Sequence, residues 1–129
     1  MAARSVTIIV DNTTDVALTG ANSNLDHGIW GTNPPARIEA GATATWEAES
    51  SGVATGTEGS VDYTLELGLG STGKVHVHFD NPFVGSNSYD QSAPAAYTLN
   101  RVGDGSGEDS TAHWILADAS STGDGIPDD

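Results

Sequence analysis

Two histidines one residue apart, His76 and His78, stand in a stretch, Lys74–Asp80, whose alternate residues Val75, Val77 and Phe79 are apolar. On a strand, residues at i and i+2 point the same way, so both imidazoles and the Asp80 carboxylate share one face. Imidazole with carboxylate is a donor set suited to a transition metal. The preceding stretch, Ser60–Leu67, puts Val61, Tyr63, Leu65 and Leu67 on a single face. A hairpin that keeps both apolar sets together pairs residues of the same parity. With Gly68-Leu69-Gly70-Ser71-Thr72-Gly73 as the connection, the expected register sets Glu66 opposite His76 and Thr64 opposite His78. Two histidines lack the third ligand and the outer support that a zinc site requires. Exposed Glu–His pairs are therefore the favoured reading, and no metal is assigned.

Oxygen donors offer a second metal chemistry. Asp104-Gly105-Ser106-Gly107-Glu108-Asp109 spaces them two residues apart, as a calcium loop does, and Thr122-Gly123-Asp124-Gly125-Ile126-Pro127-Asp128-Asp129 resembles half of a calcium repeat. Asp104, Glu108, Asp124 and Asp128 are the calcium candidates. Neither segment has the full ligand set or the bidentate glutamate of an EF-hand, so solvated turns are favoured. Catalysis finds less support still. There is no cysteine, the serines stand in turns, His27 and His113 are isolated bases, and the glycines lack a strand–turn–helix phosphate setting. The chain reads as a binding protein, not an enzyme.

Aromatic side chains supply the remaining chemistry. Trp30 lies in the Gly-flanked segment Gly28-Ile29-Trp30-Gly31, which reads as a loop. Phe83 and Tyr89 flank Val84-Gly85-Ser86-Asn87-Ser88, just after Asn81-Pro82, where the missing proline N–H takes the chain out of a sheet. Amphipathic rings in loops suit a lipid headgroup layer or a sugar face. They serve equally as caps folded back over the end of a core. Trp46 and Trp114 alternate with other apolar residues and are assigned to the core.

The elements that must position these groups are short strands. Val6–Val10, Val16–Thr19, Ala42–Ala48, Ser60–Leu67, Lys74–Asp80, Ala96–Val102 and Thr111–Ala117 are β-branched or alternating runs separated by Gly, Asn, Asp and Pro. The last also admits a helix, but Ala112, Trp114 and Leu116 alternate, which favours a strand. The chain of 129 residues fits one domain, with a hydrophobic fraction of 36% and 16 glycines. The expected fold is an all-β antiparallel sandwich of about eight or more short strands. It spans residues 1–118, followed by an acidic, fraying tail at 119–129.

Net charge is −14, with Arg4, Arg37, Lys74 and Arg101 the only cationic side chains besides histidine. Four scattered cations cannot drive counterion release from a phosphate backbone, which excludes nucleic acid as a partner. The charge also repels anionic bilayers, leaving aromatic insertion, a neutral headgroup or a bridging cation as routes to a membrane. No apolar run approaches the ~20 residues of a spanning helix. The opening residues lack the length and cleavage site of a secretory signal. Synthesis in the cytoplasm is expected, with any release following a non-classical route to a target membrane.

The order of features from about Val6 to Leu116 resembles the aegerolysin family and related small insecticidal crystal proteins of bacteria. The resemblance is carried by Leu25-Asp26-His27-Gly28-Ile29-Trp30-Gly31 and Pro35-Ala36-Arg37-Ile38-Glu39-Ala40-Gly41. Thr55-Gly56-Thr57-Glu58-Gly59-Ser60-Val61 and Phe79-Asp80-Asn81-Pro82-Phe83-Val84-Gly85-Ser86-Asn87 continue it. It implies an aegerolysin/actinoporin-like sandwich that recognises membrane lipid, sphingolipid among them. In some members, a larger pore-forming partner supplies the spanning hairpins. Trp30, Phe83 and Tyr89 would engage the lipid, with His27, Asn81 and Asn87 giving polar contacts to the headgroup. The sequence departs from aegerolysins where Asn81 stands in place of a frequent cysteine and where the first strand lacks tryptophan. Phe79, Phe83 and Tyr89 also stand near positions that tend to be tryptophan. These departures place it nearer the bacterial branch, with its toxin and cytolysin roles. A carbohydrate-binding or calcium-dependent lectin-like sandwich and a crystal-forming storage protein are the alternatives.

Overall fold

The computed structural model describes residues 2–119. In chain order the strands are β1 (Ser5–Asn12), β2 (Leu18–His27), β3 (Ile29–Thr32), β4 (Thr43–Glu49), β5 (Thr57–Gly68), β6 (Ser71–Asn81), β7 (Ser88–Ser92), β8 (Tyr97–Val102) and β9 (Asp109–Asp118). They form a five-stranded sheet, β3-β4-β1-β9-β8, and a four-stranded sheet, β2-β5-β6-β7. All but one residue of the expected tail, together with Asp124 and Asp128, lies outside the described residues.

Alternation drives the packing. In β1, Val6, Ile8 and Val10 turn inward, and in β9 so do Ala112, Trp114 and Leu116. From the other sheet Val61, Tyr63, Leu65, Val75, Val77 and Phe79 close the core. Trp46 and Trp114 are fully buried, as their spacing predicted. Trp46 meets Tyr63 edge-on at 6.3 Å, and the Tyr63 hydroxyl donates to the Pro35 carbonyl at 2.7 Å. Each such ring is a large contribution, since truncating a buried Trp or Phe to Ala costs about 3–5 kcal/mol.

The expected antiparallel sandwich forms, with one parallel pair within it. β1 and β9 run parallel, from Ser5↔Asp109 to Asn12↔Leu116. Parallel neighbours require a long crossover, and here the whole intervening chain provides it. The first and last strands thus lie side by side within one sheet.

The hairpin of β5 and β6 forms, but its register differs from the expected one. Asp62 faces His76, Ser60 faces His78 and Glu66 faces Thr72. The turn is only Leu69-Gly70, both at positive φ (56° and 77°), as tight hairpins of the primed type require. Ser71, Thr72 and Gly73 therefore belong to the strand. A slip of even parity leaves the buried face unchanged, so the apolar pattern could not distinguish the two registers.

Candidate functional site

One end of the sandwich gathers the segments singled out by the sequence. Ser5 pairs with both Glu49 and Asp109, Ile29 pairs with Glu49, and Thr57 pairs with Asn81. The segments at residues 28–29, 50–56, 82–87 and 103–108 therefore emerge together. Among exposed large apolar side chains, Ile29 (51%), Val53 (97%), Phe83 (38%) and Val84 (84%) sit here. Leu67 and Leu69 lie at the opposite end, on the β5–β6 hairpin.

Three side chains fix these segments. Arg4 donates to the carbonyls of Pro82 (3.3 Å) and Phe83 (2.7 Å), and its guanidinium lies 4.5 Å from the Phe83 ring centroid. Its backbone N–H donates to Ser50 Oγ, and Ser50 N–H returns a bond to its carbonyl. One residue just before β1 thus holds both apolar loops. Asn81, only 1% exposed, donates through Nδ2 to the carbonyls of Ser5 (3.0 Å) and Glu108 (2.9 Å). Tyr89 donates to the Gly105 carbonyl at 2.6 Å, and its ring meets Trp114 edge-on while Arg101 covers it at 4.5 Å. Gly56 is required by close approach: a Cβ there would lie 2.6 Å from the Asn81 carbonyl oxygen and 2.9 Å from Phe83 N.

Pro82 separates two cavities. One, of about 430 Å³, is lined by His27, Thr55, Thr57, Glu58, Asp80 and Phe83 among others. Burial and the neighbouring Glu58 carboxylate raise the Asp80 pKa above its ordinary value, while the His78 and His27 imidazoles oppose the rise. The other, of about 540 Å³, is bordered by Arg4, Ser86, Asn87, Ser88, Tyr89 and Arg101 among others. Two of the four Lys and Arg residues of the chain therefore border one cavity. An acidic recess, and a recess that Arg4 and Arg101 border together with Asp104 and Glu108, stand either side of one proline.

No protein-family model matches the sequence, and no curated protein matches it. Solved structures do. The crystal structure of RahU protein in complex with a TRIS molecule superposes with a TM-score of 0.71 at 16% identity, covering 92% of this chain and 97% of that one. The lipid-binding protein Nakanori superposes with a TM-score of 0.71 at 15% identity, covering 91% of this chain and 72% of that one. The fold is aegerolysin-like.

Within this aegerolysin-like sandwich, the expected site residues divide. His27 and Phe83 line the same cavity. Trp30 is not in a loop. It belongs to β3, pairs with Ala48, and packs half-buried with its ring edge-on to Phe79 at 5.9 Å. The flanking glycines had suggested a loop, yet the strand pairing holds the indole against the core. Asn81 and Tyr89 spend their donors on backbone carbonyls and act as clamps. Asn87 does the same, donating to the carbonyls of Gly105 and Gly107 at 3.0 Å each. In the 104–109 segment, the carbonyls of Gly105 and Gly107 thus accept from Asn87 and Tyr89. Asp104 accepts from Ser106, and Glu108 lies 3.8 Å from Arg4. Sequence reasoning missed Arg4, Val53, Glu58 and Val84. Only Val84, an exposed apolar residue beside Gly85 in the loop after Pro82, carried a readable signal.

Proposed function

We propose that the protein is a non-catalytic membrane-lipid-binding protein that docks through the end carrying Ile29, Val53, Phe83 and Val84. The observation that carries this reading is the exposure of those four side chains at one end of the sandwich, where Phe83 also lines the recess of His27, Glu58 and Asp80. Burying a Val, Ile or Phe side chain contributes about 1.5–3 kcal/mol relative to exposure. A few of them in the interfacial layer outweigh the cost of bringing an acidic protein near a neutral surface.

Charge selects the surface. At −14 the chain is repelled by anionic lipid and tolerates zwitterionic lipid. The acidic recess suits the cationic end of a zwitterionic headgroup, and Arg4 and Arg101 across Pro82 suit its phosphate. The structural likeness to a protein described as lipid-binding, Nakanori, agrees with this reading. The headgroup is assigned to the sphingolipid class. The chain acts as the binding component, and a larger partner makes the pore in a cytolytic or insecticidal system.

Co-sedimentation with liposomes tests this directly, with and without sphingolipid, in calcium and in chelator. Selective sedimentation with zwitterionic vesicles, unaffected by chelator, is the expected result. Sedimentation with anionic vesicles alone, or with none, contradicts it. Dye release from the same vesicles by the protein alone would remove the need for a pore-forming partner.

A further inference from the structure

The outer face of the four-stranded sheet carries a side-chain cluster that shares only Glu58 with the recess of the lipid reading. Asp26 of β2, Glu58 of β5 and His78 of β6 bring one ligand atom each within 4.8 Å of one another. We propose that these three side chains bind a divalent transition-metal ion of the zinc class.

The backbone builds this convergence. β2 and β5 change register between Leu25 and His27, so Asp26 has no partner across the ladder. Such a bulge re-aims a side chain, and here the Asp26 carboxylate comes beside Glu58 and His78. Asn24 Nδ2 donates to Asp26 Oδ1 at 3.1 Å, which orients that carboxylate as outer partners orient metal ligands. His78 Nε2 lies 3.1 Å from Glu58 Oε2. A tetrahedral ion with bonds of about 2.0–2.2 Å has ligand–ligand edges of about 3.3–3.6 Å, so this edge is nearly set already. Asp26 is exposed and has room to close the third corner, leaving further positions to water.

Charge points the same way. Among the described residues Arg4 pairs with Glu108, Arg37 with Glu39, and Lys74 with Asp62, while Arg101 stacks on Tyr89. None of the four Lys and Arg side chains pairs with this cluster. The imidazole favours zinc-like ions over calcium, which takes oxygen ligands. The other two His–carboxylate pairs, His76–Asp62 and His113–Asp11, have no third ligand of this kind among the described residues and serve as internal controls.

The test is calorimetric titration of the chelator-treated full chain with zinc chloride. One saturable site is expected for the wild type. His78→Ala and Asp26→Asn should each weaken binding by at least about tenfold, while His76→Ala and His113→Ala leave it unchanged. A thermal melt checks that each variant is folded, and Asp26→Asn, at an exposed bulge, carries the test should His78→Ala unfold. Absence of a saturable site overturns the proposal, as does equal binding by Asp26→Asn. Loss of binding in His76→Ala or His113→Ala would place the ion elsewhere and overturn it too. Vesicle binding does not enter the readout, so this result is independent of the lipid assignment.

Discussion

The guanidinium of Arg4 lies over the ring of Phe83 at 4.5 Å while donating to the Phe83 carbonyl at 2.7 Å. A residue at the very start of the sandwich therefore sets the position of an aromatic side chain presented by the loop after β6. Lysine could not reproduce this, because it lacks the planar fork that stacks and donates at once. Arg4→Lys is expected to fold normally and to bind vesicles several-fold more weakly. Arg4→Ala should also lose about 2 kcal/mol of stability in urea denaturation, from its charged hydrogen bonds and ring contact. Unchanged vesicle binding in both variants would show that Phe83 needs no such support.

Trp30 and Phe83 should behave as opposites. Trp30 packs its edge on Phe79 at the rim of the core, so Trp30→Ala is expected to cost about 2–3 kcal/mol, less than a fully buried tryptophan. Its vesicle binding should be retained at temperatures where it remains folded. Phe83→Ala should cost about 1 kcal/mol or less and reduce co-sedimentation markedly. Urea denaturation and liposome co-sedimentation of the two variants, run side by side, separate the roles.

Asp11 supplies a pH-dependent part of the stability. Its carboxylate accepts from the Thr43 hydroxyl and from His113, and both hold its pKa below the usual 3.8. A carboxylate depressed in the folded state contributes stability above its unfolded value, and that contribution is lost as pH falls through the folded value. Asp11→Asn should therefore lower the thermal midpoint at pH 7, and that deficit should shrink progressively as pH falls below the unfolded carboxylate value of about 3.9. A deficit that stays constant across this range would assign the effect to packing rather than to charge.

Much of the scaffold was legible because burial imposes a period of two. Val6, Ile8, Val10, Ala112, Trp114 and Leu116 announced β1 and β9, and Val61 through Phe79 announced the central hairpin. What escaped has no such signature. β7, Ser88-Tyr-Asp-Gln-Ser92, is a polar edge strand, and β3 is four residues interrupted by glycine. The hairpin register was ambiguous because a shift of four residues preserves every inward side chain. At the site, residue type was a poor guide to role. Asn81, Asn87 and Tyr89 look like headgroup ligands in sequence, yet the orphan carbonyls of the 103–108 segment claim their donors. Those demands arise only when segments distant in the chain meet. Glu58 and Asp26 were invisible for the same reason, since a bulge and a cross-strand neighbour bring them together.

The central claim is that one end of the sandwich meets lipid and the other does not. The chain has no cysteine, so a single introduced thiol carries a label at one place only. Val84→Cys and Leu69→Cys, each bearing an environment-sensitive fluorophore, place the probe at the proposed docking end and at the opposite hairpin. On addition of zwitterionic, sphingolipid-containing vesicles, the account predicts a blue shift and brightening at position 84 with no change at 69. A shift at 69 alone, or equal shifts at both, would contradict it.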